Sequence, residues 1–347
     1  MFVGTCRRSR LIPAIMVLIF FSTSANADNL QGGTAAYKRD DHTTTLDKLE
    51  PLALQGNAQA QYRLGLMYSI GGEGTERNDE EALKWFRQSA RQGNALAQLS
   101  LGSMYDNGLG ISQDYQKAAK WYRLSAEQKN AKAQFMLGSM HYYGKGTSKD
   151  FKKAITWYKL SAKQGYADAQ FSLGYMHESS KGVKQDYKEA VKWYKLSAEQ
   201  GHAVAQNNLG LMYSKGYGVP QDYREAYRWY QKSAEQEYAT AQNNLGLFYL
   251  NGKGGAEQDP KKAAEWFQRA AEQGYEEAQF NLGDMHVKGL GVDKDYTEAH
   301  KWWNIAGANG HPAARFKRER IEKQMTPGEI VTAQELARIW LESHEKK

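Results

Sequence analysis

The chain has 347 residues, 41% of them hydrophobic, and a formal net charge of +7 at neutral pH. This apolar content is enough to form a buried core and excludes a chain that is disordered throughout. The 6 prolines and 33 glycines indicate a helical protein whose glycines lie in regularly placed connections.

The N-terminal segment has the composition of a secretory signal peptide. Three arginines lie between residues 7 and 10, an apolar run covers residues 11–21, and Ala25-Asn26-Ala27 resembles a signal-peptidase site. The apolar run is about half of the roughly 20 residues that a spanning helix needs, so an uncleaved anchor is the weaker alternative. We therefore predict that residues 1–27 are a signal peptide, removed on export. The mature protein is then periplasmic or secreted and has no transmembrane segment.

Removal of the signal peptide changes both charge and cysteine content. The net charge falls from +7 to +4, because the segment has three arginines and no acidic residue, and Cys6 is the only cysteine. The mature chain is therefore expected to lack disulfides and cysteine-ligated metals. Its mild positive charge gives little support for a nucleic-acid partner, and nothing in the sequence calls for a cofactor.

Two short segments precede the regular part of the chain. Residues 28–42 are polar and are predicted to be a flexible tether. Residues 43–55 resemble the end of a second helix without its partner, and are predicted to be an N-terminal capping helix.

A repeat of 36 or 37 residues follows. The dipeptide Ala-Gln recurs with its alanine at Ala60, Ala97, Ala133, Ala169, Ala205, Ala241 and Ala278. Leu-Gly follows in each case, then a glycine-rich loop, an Asp or Asn, and a Trp that begins an aromatic pair. Such regular self-similarity is typical of a solenoid, in which each unit buries the apolar face of its neighbour.

Each repeat is predicted to form two helices. The second helix opens at an Asp or Asn, which is a good N-cap because its side chain accepts a hydrogen bond from an unpaired amide. It ends near Gln-Gly, where glycine can adopt the left-handed conformation that closes a helix. Lys129 and Glu237 replace that glycine, so these two turns are expected to close differently. The recurring Trp is interpreted as core filling, with stacking on a ligand as the alternative.

The pattern A-x-A-Q-x-x-L-G-x-M-Y-x-x-G-x-G-V-x-x-D-Y-x-x-A-x-x-W-Y-x-x-S-A resembles the sel-1-like repeat, a longer relative of the tetratricopeptide repeat. The resemblance covers residues 56–310, in seven units. It implies an all-α fold, a right-handed superhelical solenoid of antiparallel helix pairs that serves as an adaptor or scaffold. Residues 311–347 are predicted to be C-terminal capping helices.

No catalytic motif stands out in the sequence, and we expect no catalytic residue and no metal site. His141, His177 and His286 occupy a slot that other repeats fill with Tyr. Packing or hydrogen bonding is the first interpretation of these histidines. A metal or pH-sensing role is the alternative.

The helical period indicates which side of each first helix is free of core residues. With about 100° of rotation per residue, the Leu and Met four and seven residues after the repeated Ala share its side. Positions two, three and six residues after that Ala lie on the far side or at its border, and resemblance to tetratricopeptide arrays places them in a concave groove. The candidate partner-binding residues are Tyr62, Phe135, Phe171, Tyr175, Asn207, Asn208, Asn243, Asn244, Phe280 and Asn281.

Exposed aromatic rings are unusual unless a partner covers them, and Asn can donate and accept hydrogen bonds at once. For the aromatic positions, the alternative is packing against the first helix of the next repeat. The sequence thus predicts an exported scaffold that binds a protein or peptide, and leaves the oligomeric state open. The alternative function is an envelope enzyme or glycan-binding protein of β-lactamase-like or cell-wall type.

The signal-peptide assignment predicts the mature N-terminus. Cleavage after Ala27 should leave Asp28 as the first residue. Sequencing the N-terminus of protein from the envelope or secreted fraction of its own host would check this. Recovery of Met1 in that fraction would contradict cleavage.

Overall fold

The computed structural model describes residues 14–39, 41–72 and 75–344. These residues form eighteen helices joined by short connections and contain no β-strand. The helices are α1 Ala14–Tyr37, α2 His42–Leu54, α3 Ala58–Ile70, α4 Asp79–Arg91, α5 Ala95–Asn107, α6 Tyr115–Glu127, α7 Ala131–Tyr143, α8 Phe151–Lys163, α9 Ala167–Glu178, α10 Tyr187–Glu199, α11 Ala203–Lys215, α12 Tyr223–Ala234, α13 Ala239–Asn251, α14 Pro260–Glu272, α15 Glu276–Lys288, α16 Tyr296–Ala308, α17 Ala314–Glu322 and α18 Pro327–His344.

The chain divides into two compact units, Met1–Gln164 and Gly165–Lys347. In the first, α3 pairs with α4, α5 with α6 and α7 with α8. In the second, the pairs are α9 with α10, α11 with α12, α13 with α14 and α15 with α16. Each pair is antiparallel: Ser89, near the end of α4, donates its hydroxyl to the carbonyl of Ala58, the first residue of α3, at 2.6 Å.

The second helix of each repeat begins at the predicted capping residue. In α10, the Asp186 carboxylate accepts a hydrogen bond from the backbone amide of Glu189 at 3.0 Å. Asp114, Asp150 and Asp259 cap their helices in the same way. These backbone amides stabilise the charged form, so the pKa of each of the four carboxyl groups lies below its usual value.

The turns at Lys129 and Glu237 close like the glycine turns, so the expectation of a different closure was wrong. Lys129 has φ 66° and Glu237 has φ 61°, in the left-handed region. The amide of Lys129 donates to the carbonyl of Ala126 at 3.0 Å, as the amide of Gly93 does to that of Ala90. The repeated hydrogen bonds therefore outweigh the left-handed strain of a side-chain-bearing residue, about 1–2 kcal/mol.

The second aromatic residue of each pair, rather than the Trp, is the constant core residue. Tyr194 is 0% exposed, whereas Trp193 is only partly buried. A Cβ atom at Gly174, the glycine of Leu-Gly, would lie 2.6 Å from the Tyr194 ring. Glycine is thus required there because the ring lies directly against the backbone of the first helix. The Trp slot is variable: Trp85, Trp229 and Trp302 are buried, and the others are partly exposed.

Within each unit, buried glutamines connect successive repeats. The side-chain amide of Gln206, 4% exposed, donates to the carbonyl of Ala198 in α10 at 3.1 Å. Its oxygen accepts a hydrogen bond from Gln236, after α12, at 2.7 Å. One side chain on α11 therefore contacts the second helices of two successive repeats. Equivalent bonds are formed by Gln61, Gln98, Gln134, Gln242 and Gln279.

The described segments before and after the repeats are also helical. The predicted tether is in fact helical from residue 28 to Tyr37, where α1 ends, because its apolar side chains have a surface to cover. Ala36 is buried, and Leu30 and Tyr37 pack against the cluster that contains Leu49. At the other end, α18 packs against α16, with the rings of Trp302 and Trp340 6.1 Å apart.

The predicted signal peptide is only partly described. Its first thirteen residues lie outside the described part of the chain, and the rest belongs to α1. Among the described helices, none is long and apolar enough to cross a bilayer.

The burial pattern predicts unequal effects for the two aromatic residues of one pair. Tyr194→Ala should lower the free energy of unfolding by about 3–5 kcal/mol, because it empties a large site against Gly174. Trp193→Ala is the matched control and should cost less, since its ring is partly solvated. Chemical denaturation of both variants measures this. A larger loss for Trp193→Ala would contradict the assignment of the core residue.

Candidate binding surface on the first helices

The aromatic candidates pack against the second helix of their own repeat. In the first unit, Tyr62 is 9% exposed and its ring centre lies 6.0 Å from that of Phe86. Phe135 lies 5.6 Å from Tyr158. The position two residues after the repeated Ala therefore adjoins the aromatic core more than it faces a groove.

The same arrangement occurs in the second unit, with an added histidine. Phe171 lies 5.8 Å from Tyr194 and stacks at 4.8 Å on His202, the N-cap of α11. Phe280 likewise lies 6.5 Å from Trp303 and stacks on His311 at 4.0 Å. The exposed sides of both Phe rings are thus covered from within the chain. No sequence pattern indicated that the covering group would be a histidine at the end of the same repeat.

Each of these histidines also lies near a carboxylate at the start of the helix that carries the Phe. His202 Nε2 is 3.3 Å from Asp168, and His311 Nε2 is 3.4 Å from Glu277. The imidazole therefore contributes both stacking and a polar contact, and fixes the Phe ring in place. Tyr175 differs from the other aromatic candidates, because its side chain is 40% exposed.

The asparagine candidates form a hydrogen-bonded ladder between repeats. Asn207 and Asn243 are each 5% exposed, which corrects the expectation that they face solvent. Asn244 donates to the side-chain oxygen of Asn207 at 3.0 Å, and Asn281 donates to that of Asn243 at 2.9 Å. Asn207 in turn donates to Asn208 at 3.2 Å. These asparagine side chains, which were predicted to bind a peptide backbone, therefore use much of their hydrogen-bonding capacity on one another, between α11, α13 and α15.

Tyrosine hydroxyls from the second helices reach polar groups on the first helices. Tyr122 donates to Asp106 at 3.2 Å, and Tyr194 donates to Glu178. Burial, reinforced by the neighbouring carboxylate, raises the pKa of both phenols far above the usual value. Both hydroxyls therefore remain protonated donors at neutral pH.

The first unit has an open depression that the sequence analysis did not select. It has a volume of about 350 Å³ and is formed by α3, α5 and α7 together with residues of the second helices. Its first-helix lining includes the apolar side chains of Leu66, Leu99 and Met136 beside Ser100 and Ser103. The available signal was Ser100 and Ser103 of the second repeat beside apolar neighbours, where the last three repeats have asparagine at the position of Ser100.

The repeated histidine slot serves the loops between helices. His141 is 4% exposed, and its Nδ1 lies 3.4 Å from the carbonyl oxygen of Ser148. Burial lowers its pKa. His286 makes the equivalent contact with the carbonyl of Asp293 at 3.3 Å. Over the described residues, no three His, Cys, Asp or Glu side chains converge on a possible metal position.

Comparison with known families explains the repeat. The family described as "Sel1 repeat" matches residues 58–94, 95–130, 131–166, 167–202, 203–238, 239–275 and 276–311. The chain belongs to the Sel1 repeat family. Its fold is accordingly an all-α solenoid of Sel1 repeats, which commonly act as protein–protein interaction modules.

Two solved structures support this assignment. The chain is 36% identical to a protective antigen present in uropathogenic Escherichia coli strains that displays an SLR fold, with a TM-score of 0.85 over 91% of this chain and 68% of that one. It is 30% identical to a Sel1 repeat protein from Oxalobacter formigenes, with a TM-score of 0.61 over 80% of this chain and 96% of that one. A search of the curated proteins gives no significant match.

The asparagine ladder predicts a cost in stability rather than a neutral surface change. Asn244→Ala should lower the free energy of unfolding by about 1–3 kcal/mol, because it leaves the buried oxygen of Asn207 without its donor. Asn251→Ala on the same helix is the control, since Asn251 is exposed. Thermal melting of both variants measures this. Equal melting temperatures would show that the ladder adds nothing to stability.

Proposed function

We propose that this chain is an exported scaffold that binds a protein or peptide segment on the first helices of its N-terminal unit. The depression between α3, α5 and α7 carries this proposal. Its volume of about 350 Å³ falls at the lower end of the range for ligand sites, about 300–1,000 Å³. It is therefore suited to a few side chains of a larger partner.

The chemistry of the depression suits an apolar anchor with polar surroundings. Leu66, Leu99 and Met136 are partly buried and pack against the core cluster of this unit. Ser100, Ser103 and Lys132 add hydroxyl and ammonium groups at its edge. A partner that inserts an apolar side chain would remove these surfaces from water, and the polar groups would orient it.

Corresponding positions in the second unit favour this choice of location. In the second unit Ser100 corresponds to Ser172 in the first repeat and to Asn208, Asn244 and Asn281 in the other three, and these asparagines take part in the asparagine ladder. Ser103 corresponds to Leu211, Leu247 and Asp284, which are larger. The first unit thus has free space where the last three repeats of the second unit have interlocked side chains.

Export is part of the proposal and rests on the N-terminal sequence. The arginines before residue 11, the apolar run and the Ala25-Asn26-Ala27 site support secretion to the periplasm or beyond. The Escherichia coli relative is described as a protective antigen, which is compatible with an exported protein.

The binding role is proposed to involve no catalysis. The fold match is to a repeat family whose members are generally non-catalytic scaffolds. Hydrolysis of a chromogenic β-lactam or release of cell-wall fragments by the purified chain would overturn this part of the proposal.

Site-specific cross-linking tests the location of the partner. A photo-reactive amino acid at position 103 should cross-link to one defined partner segment in the producing cells, whereas the same group at position 156 on α8 should not. Mass spectrometry would identify the attached peptide. Equal adducts from both positions would remove the binding site from the depression.

A filled depression should bind the identified partner more weakly. Ser103→Arg places a long side chain in the space and should reduce affinity at least tenfold, about 1.4 kcal/mol. Ser112→Arg makes the same change at an exposed loop position of the same unit and should leave affinity unchanged. Calorimetric titration with the cross-linked partner peptide compares the two variants. Full affinity of a folded Ser103→Arg variant would contradict the proposed site.

A further inference from the structure

The positive charge of the chain is concentrated in one short stretch. Between residues 115 and 164 there are eleven basic and two acidic residues, a net charge of +9, so the remainder of the chain has a net charge of −2. All eleven basic side chains are exposed. They are Lys117, Lys120, Arg123, Lys129, Lys132, Lys145, Lys149, Lys152, Lys153, Lys159 and Lys163.

Most of these residues lie on two second helices of the N-terminal unit. Both α6 and α8 pack against α7, and their outward sides are solvent-exposed. The exposed side of α8 contains four lysines, Thr156 and Leu160, and α8 has no acidic residue. The basic face is defined here as the exposed basic side chains of α6 and α8 together with Leu124 and Leu160.

Few charges of this region are neutralised. Lys117 pairs with Asp114 at 3.0 Å and Lys153 with Asp150 at 3.7 Å, and both carboxylates are helix caps. For the nine remaining basic residues, no carboxylate in the described part of the chain lies within ion-pair distance. Self-repulsion among them is therefore uncompensated within the chain, and a negatively charged partner would relieve it.

The neighbouring second helix shows that this charge is a local feature. Helix α4 balances Asp79, Glu80 and Glu81 against an equal number of basic residues. A basic outer surface is thus not a requirement of the repeat.

Two leucines lie among the lysines of the basic face. Leu124 is 44% exposed and Leu160 is 42% exposed, and they occupy the same slot of successive repeats. In α4 this slot is Gln88, and in α10, outside the basic stretch, it is Leu196, which is 45% exposed. Exposed leucines flanked by lysines give a surface that is both cationic and apolar, like an interfacial amphipathic helix.

We propose that the basic face docks onto a lipid surface with anionic headgroups. Lysines near such a surface are each attracted to its negative potential, and their hydrocarbon stems allow the leucines to approach the acyl boundary. The partner-binding depression lies on α3, α5 and α7, so membrane docking through α6 and α8 leaves it available.

The composition of the face favours lipid over nucleic acid. Ten of the eleven basic residues are lysine, a compact point charge, whereas arginine supplies the planar fork that recognises nucleic acids. The aromatic rings of α6 and α8 are also used inside the chain: Trp121 and Trp157 pack against the core cluster. Leucines in place of exposed rings favour partition into a lipid interface over stacking on bases.

Vesicle sedimentation tests the proposal with the full chain. It should bind vesicles of 30% phosphatidylglycerol in phosphatidylcholine, not bind pure phosphatidylcholine, and be released by 0.5 M NaCl. Binding to neutral vesicles of equal strength would point to apolar insertion elsewhere and overturn the proposal. Retention on DNA or on an acidic polysaccharide without vesicle binding would also overturn it.

Two matched charge variants locate the docking surface. Lys120, Lys152, Lys159 and Lys163, all replaced by Glu, should lower vesicle partitioning at least tenfold. The control replaces Lys188, Lys215, Lys261 and Lys288 by Glu; these are exposed lysines of the second unit, and the net charge is the same. It should change partitioning less than threefold. Equal losses in both variants would show that net charge, and not this face, governs binding.

The apolar contribution is tested separately. Leu124→Ser with Leu160→Ser keeps every charge and should reduce partitioning severalfold while retaining its salt dependence. Circular dichroism verifies the fold of each variant. If this double variant partitions like the parent, the leucines do not enter the lipid interface, and the proposed apolar contribution to docking is overturned.

Discussion

The buried glutamine of each Ala-Gln pair is the interaction on which the repeat depends most. A side-chain amide removed from water must have its hydrogen bonds formed, or the unmet groups cost about 1–3 kcal/mol each. Gln98 meets this requirement with the carbonyl of Ala90 in α4 and the side chain of Gln128 after α6. These two bonds tie α5 to the second helices on both sides of it. The register of successive helix pairs within each unit therefore depends on a polar contact, with apolar packing around it.

Close approach of the two helices in a repeat has a consequence for binding. Because Gly174 lies against the Tyr194 ring, the residue two positions after the repeated Ala is drawn onto the same aromatic cluster. Aromatic residues at that position serve the core, and only the positions three and six residues after the Ala are left to form a surface. Small serines there leave a depression in the first unit. In the second unit, asparagines three residues after the Ala bond to asparagines two residues after the Ala of the preceding repeat. The same scaffold thus gives an open surface or a closed one by a change of side-chain size and hydrogen bonding.

The outer sides of the second helices are free of these packing constraints. Their inward sides carry the Ala, aromatic and Ser-Ala positions that recur from repeat to repeat in this chain. Their outward sides vary from balanced charge in α4 to strongly basic in α8. Two surfaces of one unit can therefore acquire separate roles, one on the first helices and one on the second, without disturbing the contacts between repeats.

Much of the fold could be predicted from sequence, because it depends on local chemistry that recurs at fixed spacing. Asp186 caps a helix and Gly201 ends one whatever surrounds them, so helix positions and the seven repeats followed from the residues alone. The candidate surface did not follow, because a helical period gives the direction of a side chain but not what meets it there. The helical period places Asn207 on the side of α11 away from the repeated Ala, Leu and Met. It is nevertheless buried, and Asn244 from the next repeat donates a hydrogen bond to it. Lys129 adopts a conformation typical of glycine, because the hydrogen bonds of the turn outweigh its local preference. Contacts between repeats are long-range in sequence, and only the tertiary structure decides them.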